Sequence, residues 1–188
     1  MFNIGLYSPS MQMGKSTLAK YLMENYNLQP VVLAYTLKRM IEVFLTDLGY
    51  SQEMVQRMVY GDLKEWIIPE IGKSTRELMQ TLGTEWGRQH VHPDIWVIIA
   101  GRRVAASVGN LFVSEDIRFK NEADAFRKEG FKIIKINNPR IPVARKHASE
   151  GGLDDYEFDY SIENDGTFEN YFKKIEEMIT YFAEQEGR

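Results

Sequence analysis

The chain contains no cysteine. That excludes disulfides and thiolate metal sites, and it fits a reducing compartment. Only three histidines occur, and none forms an H-x-x-x-H pair, so a helical two-histidine metal site is excluded too. No run of 18 apolar residues is present, so no membrane span is expected. The opening MFNIGLYSPS lacks a basic stretch followed by a long apolar one, and no secretory signal is expected. An excess of basic charge is also missing. The net charge is −4 and the pI about 5.5, which argues against a broad nucleic-acid surface. There is no internal repeat, low-complexity tract or interdomain linker, so 188 residues are expected to form one domain.

What is present is an alternation of apolar runs and helical patterns. Phe2–Tyr7, Val31–Ala34, Leu111–Ser114, Phe131–Ile136 and Asp159–Ile162 read as strands. Ser16–Glu24, a stretch after Thr36, Gln52–Tyr60, Asp94–Ser107, Asn121–Glu129 and Thr167–Glu184 read as helices, with Gly130 ending one of them. Ser74 and Glu77 have the spacing of a capping box. The order predicts an α/β fold with a mainly parallel five-stranded sheet flanked by helices. Gly61–Gly72 has no clear period, and 138–157 reads as a polar lid.

The most informative stretch is YSPSMQMGKSTLAKYL at 7–22. It places Gly14-Lys15-Ser16-Thr17 between the first strand and the first helix, the context of a phosphate-binding loop. There, backbone N–H groups wrap the phosphates and the helix N-terminus adds positive potential. Lys15 would reach the outer phosphates and Ser16 would bind Mg²⁺. The pattern wants glycine at position 9, where this chain has Pro9, so an altered entry is expected.

Further along, the strand Leu111–Ser114 runs into Glu115-Asp116, where an acid would hold Mg²⁺. Asp116 is the first choice and Glu115 the alternate. Arg118, Lys120 and Glu122 follow at the expected carboxyl edge of the sheet. Arg140, Arg145, Lys146 and His147 gather in the lid segment. Within 74–88, Leu78, Leu82 and Trp86 recur every four residues and are expected to face the core. Arg76, Gln80, Thr84 and Arg88 form a parallel stripe suited to a phosphate and a base edge. After the second strand the chain reads Ala34-Tyr35-Thr36-Leu37-Lys38, with no acid to deprotonate a hydroxyl. A phosphate acceptor, already an oxyanion, fits better.

Taken together, M-G-K-S-T (13–17), L-K (37–38), R-E-L-M-Q-T-L-G-T-E-W-G-R (76–88), D-I-W-V (94–97), S-E-D-I-R-F-K-N-E-A (114–123), H-A-S-E (147–150) and I-E-N-D-G-T (162–167) resemble the deoxynucleoside monophosphate kinases of tailed bacteriophages. The resemblance implies transfer of the ATP γ-phosphoryl group, with Mg²⁺, to a deoxynucleoside monophosphate. It assigns Met13, Gly14, Lys15, Ser16 and Thr17 to the donor phosphates. Lys38, Arg76, Gln80, Arg88, Asp94, Trp96, Arg118 and Glu150 are assigned to the acceptor, with 36–92 as its helical region. Lys15, Arg118, Glu122 and Arg140 are implied at the reacting centre, and Ser16 and Asp116 at the metal. It further implies cytoplasmic action in an infected host; a homodimer is the default oligomer, and no nucleic-acid or membrane partner is expected. Two other readings stand beside it: a dephospho-coenzyme A kinase or other small-molecule P-loop kinase, and a non-catalytic ATP-sensing module. A dephospho-coenzyme A kinase shares the loop, an H-P pair (His92-Pro93) and an N-D-G-T ending, but usually carries a D-x-P-L-L-F-E-type strand end where this chain has S-E-D-I-R-F. An ATP-sensing module would keep Lys15 but need no acceptor arginines.

Overall fold

A computed structural model describes residues 2–107, 109–143 and 152–186. In chain order the elements are β1 (Asn3–Tyr7), α1 (Lys15–Tyr26), β2 (Gln29–Pro30), α2 (Tyr35–Asp47), α3 (Gln52–Val59), β3 (Ile67–Ile68), β4 (Lys73–Ser74) and α4 (Thr75–Gln80). A π-helical segment, Thr81–Val91, continues from α4. Then come α5 (Ile95–Ala105), β5 (Phe112–Ser114), α6 (Lys120–Lys128), β6 (Phe131–Asn137), β7 (Tyr160–Glu163) and α7 (Phe168–Glu186). The chain packs as two compact units, one formed by the part up to Val32 with the part from Ala100 onward, the other by Leu33–Ile99.

The first unit holds a five-stranded, all-parallel sheet in the order β2-β5-β1-β6-β7. Its strands are covered on both faces, so β1 and β6 read as nearly continuous apolar runs. Ile4, Leu6, Ile134 and Ile136 pack with Leu18 and Leu22 of α1 and with Tyr171, Ile175, Met178 and Phe182 of α7. On β1, Gly5 lies where a side chain would collide with Ile117, so its lack of Cβ admits that buried residue. The chain runs from β1 out to the β2 edge, returns at β5, then crosses to β6. Connections therefore leave the central strands in opposite directions, opening a crevice at their carboxyl ends where ligands of such sheets bind.

The second strand lies ahead of the expected Val31–Ala34 and is shorter. Only Gln29–Pro30 pairs, and the ladder ends as Val31 N–H donates to the Val113 carbonyl at 2.8 Å. Its partner β5 has three residues, so Val32–Ala34 find no further ladder partner. Pro30 is tolerated because β2 is an edge strand. Gln29 and Val31 supply the donors toward β5, and a proline between them breaks no bond.

The second unit has its own core of Ile41, Leu45, Val55, Met58, Val59 and Ile68. Ser51 caps α3, accepting from Met54 N–H. The stretch without a clear period, 61–72, contains β3 and runs into β4, with which β3 forms a hairpin of two residues per strand. The Ser74–Glu77 capping box is present: Ser74 N–H donates to the Glu77 carboxylate at 2.8 Å, and Glu77 N–H to Ser74 Oγ at 3.3 Å.

The apolar stripe expected over 74–88 holds only in part: Leu78 and Leu82 pack against the core of this unit, but Trp86 does not join them. The α-helix ends at Gln80 and the chain widens to i→i+5 winding. Trp86, expected in the core, is 44% exposed, while Gly83 and Gly87 are buried. The reason is close packing: a Cβ on Gly87 would lie 2.6 Å from the Trp96 ring, and one on Gly83 2.9 Å from Leu37. The glycines mark the packed face.

Candidate active site

The loop between β1 and α1 is braced from within. Ser8 Oγ donates to the Ser10 carbonyl at 2.6 Å across Pro9. Its left-handed turns fall at Gln12 (φ 63°) and Gly14 (φ 110°), so position 9 needs no positive φ and proline is compatible there. Gly14 then serves as the N-cap of α1, whose first turn carries no acidic residue. The N-terminal N–H groups and the helix dipole at this point suit an anion.

At the start of α1, Ser16 Oγ donates to Glu115 Oε2 at 2.7 Å. Asp116, the first choice for the metal, instead accepts from Arg118 Nη2 at 3.3 Å. The neighbouring acid is thus the one turned toward Ser16. Lys15 lies among the same groups. Burial and the Arg118 guanidinium hold its ammonium below the ordinary lysine range, while Asp116 and Glu115 oppose that shift. Hydroxyl and carboxylate oxygens suit Mg²⁺, which takes one or two carboxylates and completes its shell with water and phosphate oxygens. Thr17 is half-buried one position further along α1.

Glu122 is buried, and its carboxylate accepts from the N–H groups of Arg118 (2.8 Å) and Phe119 (3.1 Å). It shapes the loop that carries Arg118 and begins α6. Arg140 is exposed in a turn where its N–H donates to Asn138 Oδ1 at 3.0 Å. Its charge reaches Asp165, whose carboxyl is held low first by Lys174 and further by Arg140. Arg145, Lys146, His147 and Glu150 lie outside the described residues. The C-terminal end of the expected lid is anchored: Leu153 is buried, Tyr7 donates to Asp154 at 2.8 Å, and Tyr156 donates to Asp124 at 2.9 Å.

In the second unit, Lys38 Nζ sits over the Tyr60 ring, 4.9 Å from its centroid. Burial and a hydrogen bond to Glu42 push the Tyr60 hydroxyl up to about 12. Arg76 pairs with Glu65 through its Nε, and its backbone N–H donates to the Lys64 carbonyl at 3.0 Å. Gln80 is exposed, Arg88 half-buried, and Asp94 N–H donates to His92 Nδ1 at 3.1 Å. Trp96 is buried at 3% exposure and donates its indole N–H to the Gly83 carbonyl at 2.8 Å. Its ring therefore supports the π segment and offers little surface to a ligand.

A family model described as deoxynucleotide monophosphate kinase matches residues 42–175. The chain belongs to that family. Among its relatives, the deoxynucleoside-5'-monophosphate kinase of Escherichia phage T5 is 42% identical over 87 residues, 43% of this chain and 35% of that protein. The deoxynucleotide monophosphate kinase of Escherichia phage RB69 is 31% identical over 109 residues, 56% of this chain and 45% of that protein. The chain thus spans less than half the length of these two relatives. Dephospho-CoA kinase from Campylobacter jejuni shares the fold at 16% identity and a TM-score of 0.52, covering 99% of this chain and 100% of that one. That likeness extends to the parallel sheet and its flanking helices, the P-loop kinase fold.

For this family member, two residues near the loop were not singled out by sequence reasoning. Asn164 Nδ2 donates to the Met13 carbonyl at 3.1 Å, and Tyr171 Oη to the Gly14 carbonyl at 3.1 Å. Asn164 belongs to the quoted N-D-G-T run, but Tyr171 reads as one more apolar position of α7. A Cβ on Gly14 would approach Asn164 Nδ2 to 2.7 Å and Tyr171 Oη to 3.1 Å. Glycine is therefore required at position 14 from behind the loop, as well as by its φ.

Proposed function

We propose that the chain transfers the γ-phosphoryl group of ATP to a deoxynucleoside monophosphate, giving the diphosphate and ADP. The observation that carries this reading is the cluster of Lys15, Ser16, Glu115, Asp116 and Arg118 at the carboxyl ends of β1 and β5, in a chain of the deoxynucleotide monophosphate kinase family.

In this reading the backbone from Met13 to Thr17 binds the donor phosphates at the N-terminus of α1. The Lys15 ammonium and Arg118 guanidinium stabilise charge that moves toward the β,γ-bridging oxygen during transfer. Ser16, Glu115 and Asp116 would hold Mg²⁺, which when bound supplies further charge neutralisation between phosphate oxygens. Glu122 acts as a positioning residue, fixing the Arg118 backbone. Lys38, Arg76, Gln80, Arg88 and Asp94 bind and orient the acceptor. Its phosphate is already anionic, so orientation and electrostatics suffice without a general base.

The test is a coupled ADP-release assay with ATP, Mg²⁺ and each of dAMP, dCMP, dGMP, dTMP and hydroxymethyl-dCMP, with GMP and dephospho-coenzyme A as controls. Turnover on at least one deoxynucleotide, with little on the controls, is the expected result. Turnover confined to dephospho-coenzyme A, or ATP binding without transfer to any acceptor, would overturn the assignment.

A further inference from the structure

Two side chains far along the sequence reach the same two peptide units of the donor loop. Asn164 donates to the carbonyl of Met13, and Tyr171 to the carbonyl of Gly14, each at 3.1 Å. A trans peptide is planar, with C=O and the following N–H pointing in opposite directions. Pinning the Met13 carbonyl therefore fixes the direction of Gly14 N–H. Pinning the Gly14 carbonyl does the same for Lys15 N–H. Both N–H groups then point away from Asn164 and Tyr171, toward the side where a phosphate would sit.

Both donors are themselves held. Asn164 N–H donates to the Asn137 carbonyl at 2.7 Å, tying its backbone to the end of β6. The Tyr171 ring is buried at 2% exposure in the core shared by α1, β1 and α7. The Gly14 carbonyl also accepts the first helical bond of α1, from Leu18 N–H at 3.0 Å. The loop is thus fixed from behind by the sheet end and by α7, and its peptide dipoles are oriented before any nucleotide arrives.

We propose that Asn164 and Tyr171 are positioning residues for phosphoryl-donor binding, acting through the Met13 and Gly14 carbonyls to aim the Gly14 and Lys15 N–H groups at the donor phosphates. The inference rests on the reading of this loop as the donor site. Tyr171→Phe keeps the buried ring and removes only the hydroxyl. Asn164→Asp keeps the shape and replaces the donor with an acceptor. Each variant of the full chain is assayed for kcat and for KM of ATP and of the deoxynucleotide, for ADP affinity by calorimetry, and for thermal stability.

The expected result is a fall of about tenfold in kcat/KM for ATP and a similar loss of ADP affinity for each variant. The double variant should lose about 10²-fold, while the deoxynucleotide KM stays within a factor of two. Unchanged ATP kinetics and ADP affinity in both variants, whatever happens to the melting temperature, would overturn the proposal and leave the two bonds as packing. A wild-type chain that binds ADP but phosphorylates no deoxynucleotide would overturn the kinase assignment alone, since the variants' ADP affinities still decide the positioning role. A wild-type chain that binds no nucleotide would overturn both.

Discussion

At Lys15, burial and the neighbouring Arg118 guanidinium disfavour the charged form, while Asp116 and Glu115 favour it; the net pKa lies below the ordinary 10.5. The folded chain therefore releases this proton at a lower pH than the unfolded chain. Between the two values the unfolded state binds more protons, so the Lys15 contribution to stability rises with pH. Urea unfolding of wild type and Lys15→Met across this alkaline window should show wild type gaining relative to the variant as pH approaches 10.5. A constant difference would mean that Lys15 is not perturbed. Catalysis should change in the opposite sense. The free-enzyme profile of kcat/KM for ATP should decline on its alkaline side before pH 10.5, as the ammonium is lost. Replacing Lys15 by Ala should lower kcat by about 10²–10³ while circular dichroism stays native. Near-normal turnover would remove Lys15 from the donor site.

The π segment is where residue spacing and element geometry part company. A four-residue repeat reads as an α-helical face, and Leu78, Leu82 and Trp86 have that repeat. Leu78 and Leu82 do pack against the core, but with the widened winding Trp86 is exposed while Gly83 and Gly87 are buried, the second of them against Trp96. Gly87→Ala would push a methyl into a rigid, buried indole, so it should destabilise the chain by about 1–3 kcal/mol. The same substitution at Gly101 meets nothing closer than 4.0 Å, and Gly101 lies within α5, where alanine is the better helix former. It should be neutral or slightly stabilising. Chemical denaturation of the two variants checks both expectations; equal midpoints would mean that the π segment does not pack on Trp96.

Across the whole molecule, stability should follow the depth of hydrogen bonding. β1 is paired on both sides, with β5 and with β6 along its full length. The β3–β4 hairpin has two residues per strand and leaves Ile67 51% exposed. Native-state hydrogen exchange should find the amides of Ile4–Leu6 and Ile133–Ile134 among the slowest, and those of the hairpin among the fastest. Hairpin amides as slow as those of β1 would contradict this ordering. The net charge of −4 is carried by a molecule in which Lys15 and Arg118 lie among Glu115 and Asp116, so this cluster balances two bases with two acids rather than sharing the acidic excess of the whole chain. Among the described residues, no helix is long and apolar enough to cross a membrane, in agreement with the lack of any 18-residue apolar run.

Local pattern was enough to determine the strand–loop–helix at the N-terminus, the Ser74–Glu77 cap, the strand-and-helix alternation that implies a parallel sheet, and the acids that follow β5. Each depends on residues within a few positions of one another, where propensity and spacing act directly. Only the folded chain decided the rest. Which of Glu115 and Asp116 turns toward Ser16 depends on where β5 ends beside α1, a matter of sheet register that composition does not carry. Val31–Ala34 has strand-like residues, yet it stays unpaired beyond Val31 because its three-residue partner β5 ends. Asn164 and Tyr171 meet Met13 and Gly14 across about 150 residues of chain, a contact made when α7 closes over the sheet. Such contacts are set by the packing of whole elements against one another, and no period within a single element encodes them.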